Sequence, residues 1–186
     1  MQCPSVLGNG TKSQRLFCDV LIGNFAAGGL RITIPPHDGR ATLLFTLHNR
    51  QMLGAEAAKK DKDGKDAPPS YARYTATLRV LTPDGSEVTK AIVQSEYRSV
   101  ADIVERISGG AGPGGVKAVA PTGSEPIIVD LPAGLTEVSL VGEKLEIERL
   151  DGSETITTAG RPIAVVSQVF VEYQPVAAST AGKRRS

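Results

Sequence analysis

Arg73-Tyr74-Thr75-Ala76-Thr77-Leu78-Arg79-Val80 decides the fold class, because Tyr74, Ala76, Leu78 and Val80 alternate strictly with Arg73, Thr75, Thr77 and Arg79. A period of two puts one set of side chains on each face of a β-strand, one buried and one wetted. The same rhythm runs through Leu43, Phe45 and Leu47 against Thr42, Thr46 and His48, with Leu44 as its one lapse. It returns in Leu30, Ile32 and Ile34 before stopping at Pro35-Pro36. Further strands are expected at Leu16–Ile22, Val88–Glu96, Val116–Ala120, Ile127–Leu131, Glu137–Val141, Lys144–Leu150 and Ile163–Tyr173. Ile163-Ala164-Val165-Val166 is apolar on both faces, as a covered central strand would be.

The punctuation agrees. Asp38-Gly39, Pro83-Asp84-Gly85 and Asp151-Gly152 are turn sequences between strand-like runs. One stretch breaks the pattern: Ser99-Val100-Ala101-Asp102 resembles a capping box, and Val100, Ile103, Val104 and Ile107 follow helical spacing. The expectation is therefore an all-β, antiparallel, jelly-roll-like sandwich with one short helix near 99–108. Residues 15–174 form its single domain and 1–14 an N-terminal segment. Residues 55–70, rich in alternating charge, form a mobile loop, and 175–186 a disordered tail.

Composition narrows the function classes. Apolar residues make up 40% of the 186 and charged residues 22%, so a packed core needs no metal scaffold. With Lys+Arg 21 against Asp+Glu 20, no clustered positive charge points to nucleic acid. No apolar run is long enough to span a membrane, and the first residues lack the pattern of a signal peptide. The two cysteines, Cys3 and Cys18, lack zinc or Cys-x-x-Cys spacing. Either they are unrelated thiols, or they form a disulfide pinning the N-terminal segment to the first strand. A disulfide favours a secreted or periplasmic site, and a cytoplasmic one goes with free thiols.

Catalytic signals are thin. Gly110, Gly112 and Gly115 match a dinucleotide loop, but a helix would precede it and a strand follow, the reverse of what phosphate binding needs. Asp61, Asp63 and Asp66 lack calcium-ligand spacing and sit among lysines. His37 and His48 are the only histidines, and no Gly-x-Ser-x-Gly elbow occurs. No cofactor is implied. The polar sheet face carries the main candidate site: Thr46 and His48 on one strand with Arg73, Thr75 and Arg79 on the next, and Tyr71 at the loop end. Paired strands would merge these into one shallow surface, with the arginines as forked donors for an anionic or hydroxylated ligand.

Three functions follow in order. The first is a non-catalytic extracytoplasmic sandwich with a structural or protein-binding role, self-association included. The second is a module for a small carbohydrate or anion, and the third a hydrolase with an unrecognised site.

Overall fold

The computed structural model describes residues 1–9, 14–50, 73–96, 104–107, 118–121, 124–149 and 152–176. Its strands are β1 (Val6–Asn9), β2 (Leu16–Leu21), β3 (Leu30–Thr33), β4 (His37–Asn49), β5 (Arg73–Leu81), β6 (Glu87–Glu96), β7 (Val104–Ile107), β8 (Ala118–Pro121), β9 (Ser124–Leu131), β10 (Glu137–Arg149), β11 (Gly152–Ile156) and β12 (Pro162–Pro175). A single 3-10 turn, Ala26–Gly28, is the only helical element among the described residues. Two antiparallel sheets pack face to face as a β-sandwich. The first has the order β1-β2-β12-β4-β9; in the second, β11-β10-β5-β6 is joined by β3 on β10.

The alternation places the core as expected. Leu43, Phe45 and Leu47 of β4 and Tyr74, Ala76, Leu78 and Val80 of β5 are all buried in one cluster with Leu140, Leu145 and Ile163. Ile163 through Val166 are wholly buried, in keeping with the central position of β12 between β2 and β4. Gly142 lets the sheets touch at one end. The amide of Gly23 donates to its carbonyl at 3.0 Å, and a Cβ there would meet Ile163 Cδ1 at 2.9 Å and Ile22 N at 3.0 Å. The turn Thr82–Ser86 forms as its sequence implies, with Gly85 at φ +89° and its amide donating to the Thr82 carbonyl at 3.0 Å. The hydroxyls of Thr82 and Ser86 both donate to the Asp84 carboxylate and hold its pKa below the ordinary value.

Four expectations change. First, β4 and β5 do not pair. They lie in opposite sheets, with β12 and β9 flanking β4 and β10 and β6 flanking β5. Adjacent strands would turn both apolar faces the same way, whereas opposed sheets bury each against the other, and the long connection between them imposes no hairpin. Second, the helix expected over 99–108 gives way to strand: Val104–Ile107 pairs antiparallel with Ala118–Pro121. Val104 and Ile107 are β-branched, and two helical turns in isolation are marginal, so a strand with a ready partner wins. Residues 99–103 and 108 lie outside the described residues, as do the charged loop and the glycine-rich stretch.

Third, Asp38-Gly39 is not a hairpin turn. It lies within β4, where Asp38 opposes Gln174 and Ala41 opposes Tyr173, so Gly39, at φ +72°, belongs to a bulge. Fourth, Pro175 closes β12 rather than opening the tail.

The N-terminal segment joins both sheets. Gln2 and Arg31 of β3 exchange backbone hydrogen bonds at 2.8 and 3.0 Å, while β1 pairs with β2. Between these contacts lies the Cys3–Cys18 disulfide, with its Cα atoms 5.4 Å apart.

Candidate functional site

The expected site is split between opposite faces of the sandwich. Thr46 and His48 lie on the outer side of the first sheet, while Arg73, Thr75 and Arg79 lie on the outer side of the second. Tyr71 lies outside the described residues. No single ligand-sized surface contains all of them.

On the second sheet the expected anion donors are already engaged. Arg73 meets Glu148 at 3.5 Å, and Arg79 donates to the Gly23 carbonyl at 2.8 Å. Thr75 accepts from the Gln94 amide at 3.1 Å. Beside them run two more ion pairs, Lys90–Glu143 at 2.8 Å and Lys144–Glu146 at 2.9 Å. The face is a ladder of alternating charge that neutralises itself. The pKa of Lys90 is raised, chiefly by its hydrogen bond to Glu143.

The outer face of the first sheet is organised in bands. At one end His48 Nε2 lies 2.8 Å from Ser167 Oγ, the His48 ring stands edge-on to Phe17, and Thr46 donates to Gln168 Oε1 at 3.1 Å. Below this polar band, Phe170, Leu44 and Ile128 sit directly opposite one another on β12, β4 and β9. Phe170 is 62% exposed and Ile128 68%, with Leu44 half-buried between them. The next row is acidic: Glu172, Thr42 and Asp130, with the Thr42 hydroxyl 3.4 Å from the Asp130 carboxylate.

A bulge builds the middle band. From Ser167 to Phe170, β12 advances three residues while β4 steps from Thr46 to Leu44, and Gln168 adopts φ +52°. One extra residue reverses the facing of everything after it, so Phe170 points out where regular alternation would have turned it in. Sequence reasoning missed the stripe for this reason. Its visible signs were lapses in the alternation, at Leu44 and in the apolar runs Ile127-Ile128-Val129 and Val169-Phe170-Val171.

The His48–Ser167 pair has the spacing of a base and a nucleophile. However, Ser167 is mid-strand and only 1% exposed, which keeps a substrate carbonyl away from its hydroxyl. Beyond the pair, the carboxylate of Asp19, also 1% exposed, takes Arg50 Nε at 2.6 Å and the Ser5 hydroxyl at 2.8 Å. A buried charge held on two sides is a structural arrangement. Among the described residues no cluster of three or more His, Cys, Asp or Glu side chains is placed to hold a metal ion.

No protein-family model, curated protein or solved structure matches the chain.

Proposed function

We propose that this chain is a non-catalytic, extracytoplasmic β-sandwich that works by protein contact through the outer face of its first sheet. The Phe170–Leu44–Ile128 stripe carries this reading, because contiguous exposed apolar residues rimmed by polar ones are how protein contact sites are built. Ile92 on the other sheet, 52% exposed, has no such company in its row and sits opposite Thr77. The Cys3–Cys18 bond supports a compartment outside the reducing cytosol. The small-ligand reading loses its combined surface, since Thr46 and His48 are turned to Gln168 and Ser167 and the arginines lie on the other sheet.

A photoreactive residue in place of Ile128, compared with one in place of Ile92, tests the proposal in the purified protein and in extract of the source. Protein adducts of defined mass at position 128 and not at 92 are expected. Equal labelling at both positions, or none at 128, would overturn it.

A further inference from the structure

We infer that the Cys3–Cys18 disulfide is a redox latch on the N-terminal strand. Opening it bares the edge of β2 for the same strand of a second copy. Backbone hydrogen bonds hold the strap at three places, and side-chain hydrogen bonds from Ser5 to Asp19 and from Arg31 to Gln2 reinforce two of them. Gln2 exchanges two backbone hydrogen bonds with Arg31, the Asp19 amide donates to the Ser5 carbonyl at 2.9 Å, and β1 pairs with β2 over Val6–Asn9 through a bulge. Apart from the cystine this is a thin attachment. Val6 is half exposed, β1 is four residues long, and Gln2 is exposed. The covalent bond therefore dominates the hold, as ring closure over a separation of 15 residues restricts the open state strongly.

The two sulfurs differ in access. Cys18 is completely buried in the core cluster, whereas Cys3 is only partly buried against it. An incoming dithiol thiolate bonds to the Cys3 sulfur and expels Cys18 as thiolate. The second thiol of the reagent then attacks the mixed disulfide and releases Cys3, leaving the reagent as a cyclic disulfide. Two electrons pass to the cystine, and the freed cysteines take up two protons. The sandwich keeps its other strands, because β2 remains paired with β12.

The vacated edge fits one occupant closely. A strand laid on β2 must oppose Val6 to Cys18, bulge at Leu7, oppose Gly8 to Phe17 and Asn9 to Leu16, offer Ser5 to Asp19 and bring a cysteine to Cys18. Among the described strands β1 carries that set, so a second copy supplies the complementary strand by exchange, a low-cost route to a dimer.

Amide exchange before and after dithiothreitol tests the latch. The amides of Asp19 and Arg31, which donate to the strap, should exchange about 100-fold faster after reduction while that of Leu78 in the core stays protected. Equal mixtures of isotopically labelled and unlabelled reduced protein are then reoxidised with glutathione disulfide at high concentration, two glutathiones forming per cystine. Cys3–Cys18 peptides joining a labelled to an unlabelled half are expected, increasing with protein concentration. Unchanged exchange at Asp19 and Arg31 would overturn the inference. So would loss of protection at Leu78 together with the strap, or cystine peptides of one isotope only at every concentration.

Discussion

Both sheets carry apolar side chains on their outer faces, and the second covers two of its own with a crossing segment of the chain while leaving Ile92 exposed. On the second sheet Leu81 and Val141 form a small cluster with Ala26 of the 3-10 turn, all nearly buried. Arg79 fastens the crossing segment there through the Gly23 carbonyl. On the first sheet Phe170 and Ile128 stand open. The same contrast holds for charge. In Asp19–Arg50 on the first sheet the carboxylate is buried and the arginine partly so, whereas Arg73–Glu148 is about half exposed on the second. Equal chemistry in unequal solvent has unequal consequences: a surface pair trades water for a partner at little net gain, while a buried charge depends on its partner.

The largest expected effect breaks the two ion pairs in turn. Arg50→Met strands the Asp19 carboxylate with the Ser5 hydroxyl alone and should cost about 3–5 kcal/mol by urea titration. Arg73→Met should cost less than about 1 kcal/mol, because its partner returns to water. Similar costs at the two sites would erase the distinction between the faces.

A smaller effect separates the two polar contacts. Ser167→Ala removes a buried hydroxyl facing His48 and should cost about 1 kcal/mol. Thr75→Val on the other face removes an exposed contact to Gln94, and its cost should stay within about 0.5 kcal/mol. Equilibrium unfolding in urea measures both.

The alternation in the sequence specifies which side chains turn inward on β4 and β5 residue by residue, and each of those residues is buried. It is silent on which sheet a strand joins, since a strand looks the same beside its neighbour or across from it. That ambiguity divided the expected Thr, Arg and His surface between two faces. Two bulges were equally hidden. Asp38-Gly39 has the chemistry of a turn but is used inside a strand, and Gln168 has no residue-type signature for positive φ. The Cys3–Cys18 bond was one of two alternatives that the sequence left open, and the fold brings the two cysteines together.

The stripe itself should contribute almost nothing to folding. Phe170→Thr and Ile128→Thr remove side chains that are already mostly in water, so unfolding midpoints should move within about 0.5 kcal/mol of wild type. Binding of an apolar reporter dye should fall in both variants and stay unchanged in Ile92→Thr. A large loss of stability would mean that the stripe is part of the folded core rather than a contact face.

The smallest effect lies on the charged ladder and is a matter of pH. The hydrogen bond to Glu143, followed by the fields of Glu143 and Glu87, raises the Lys90 pKa above 10.5 despite the opposing field of Arg79. A raised folded-state pKa means that folding favours the protonated amine. The contribution is complete below the unfolded value and disappears as pH climbs through the higher folded one. Thermal midpoints of wild type and Lys90→Gln should therefore differ slightly near pH 9 and converge in stronger base. Added salt should shrink the pH 9 difference, because the pair is solvent-exposed. A gap that widens with rising pH would reverse the sign and place Lys90 among groups that folding strips of charge, as in a buried site rather than on an open ladder.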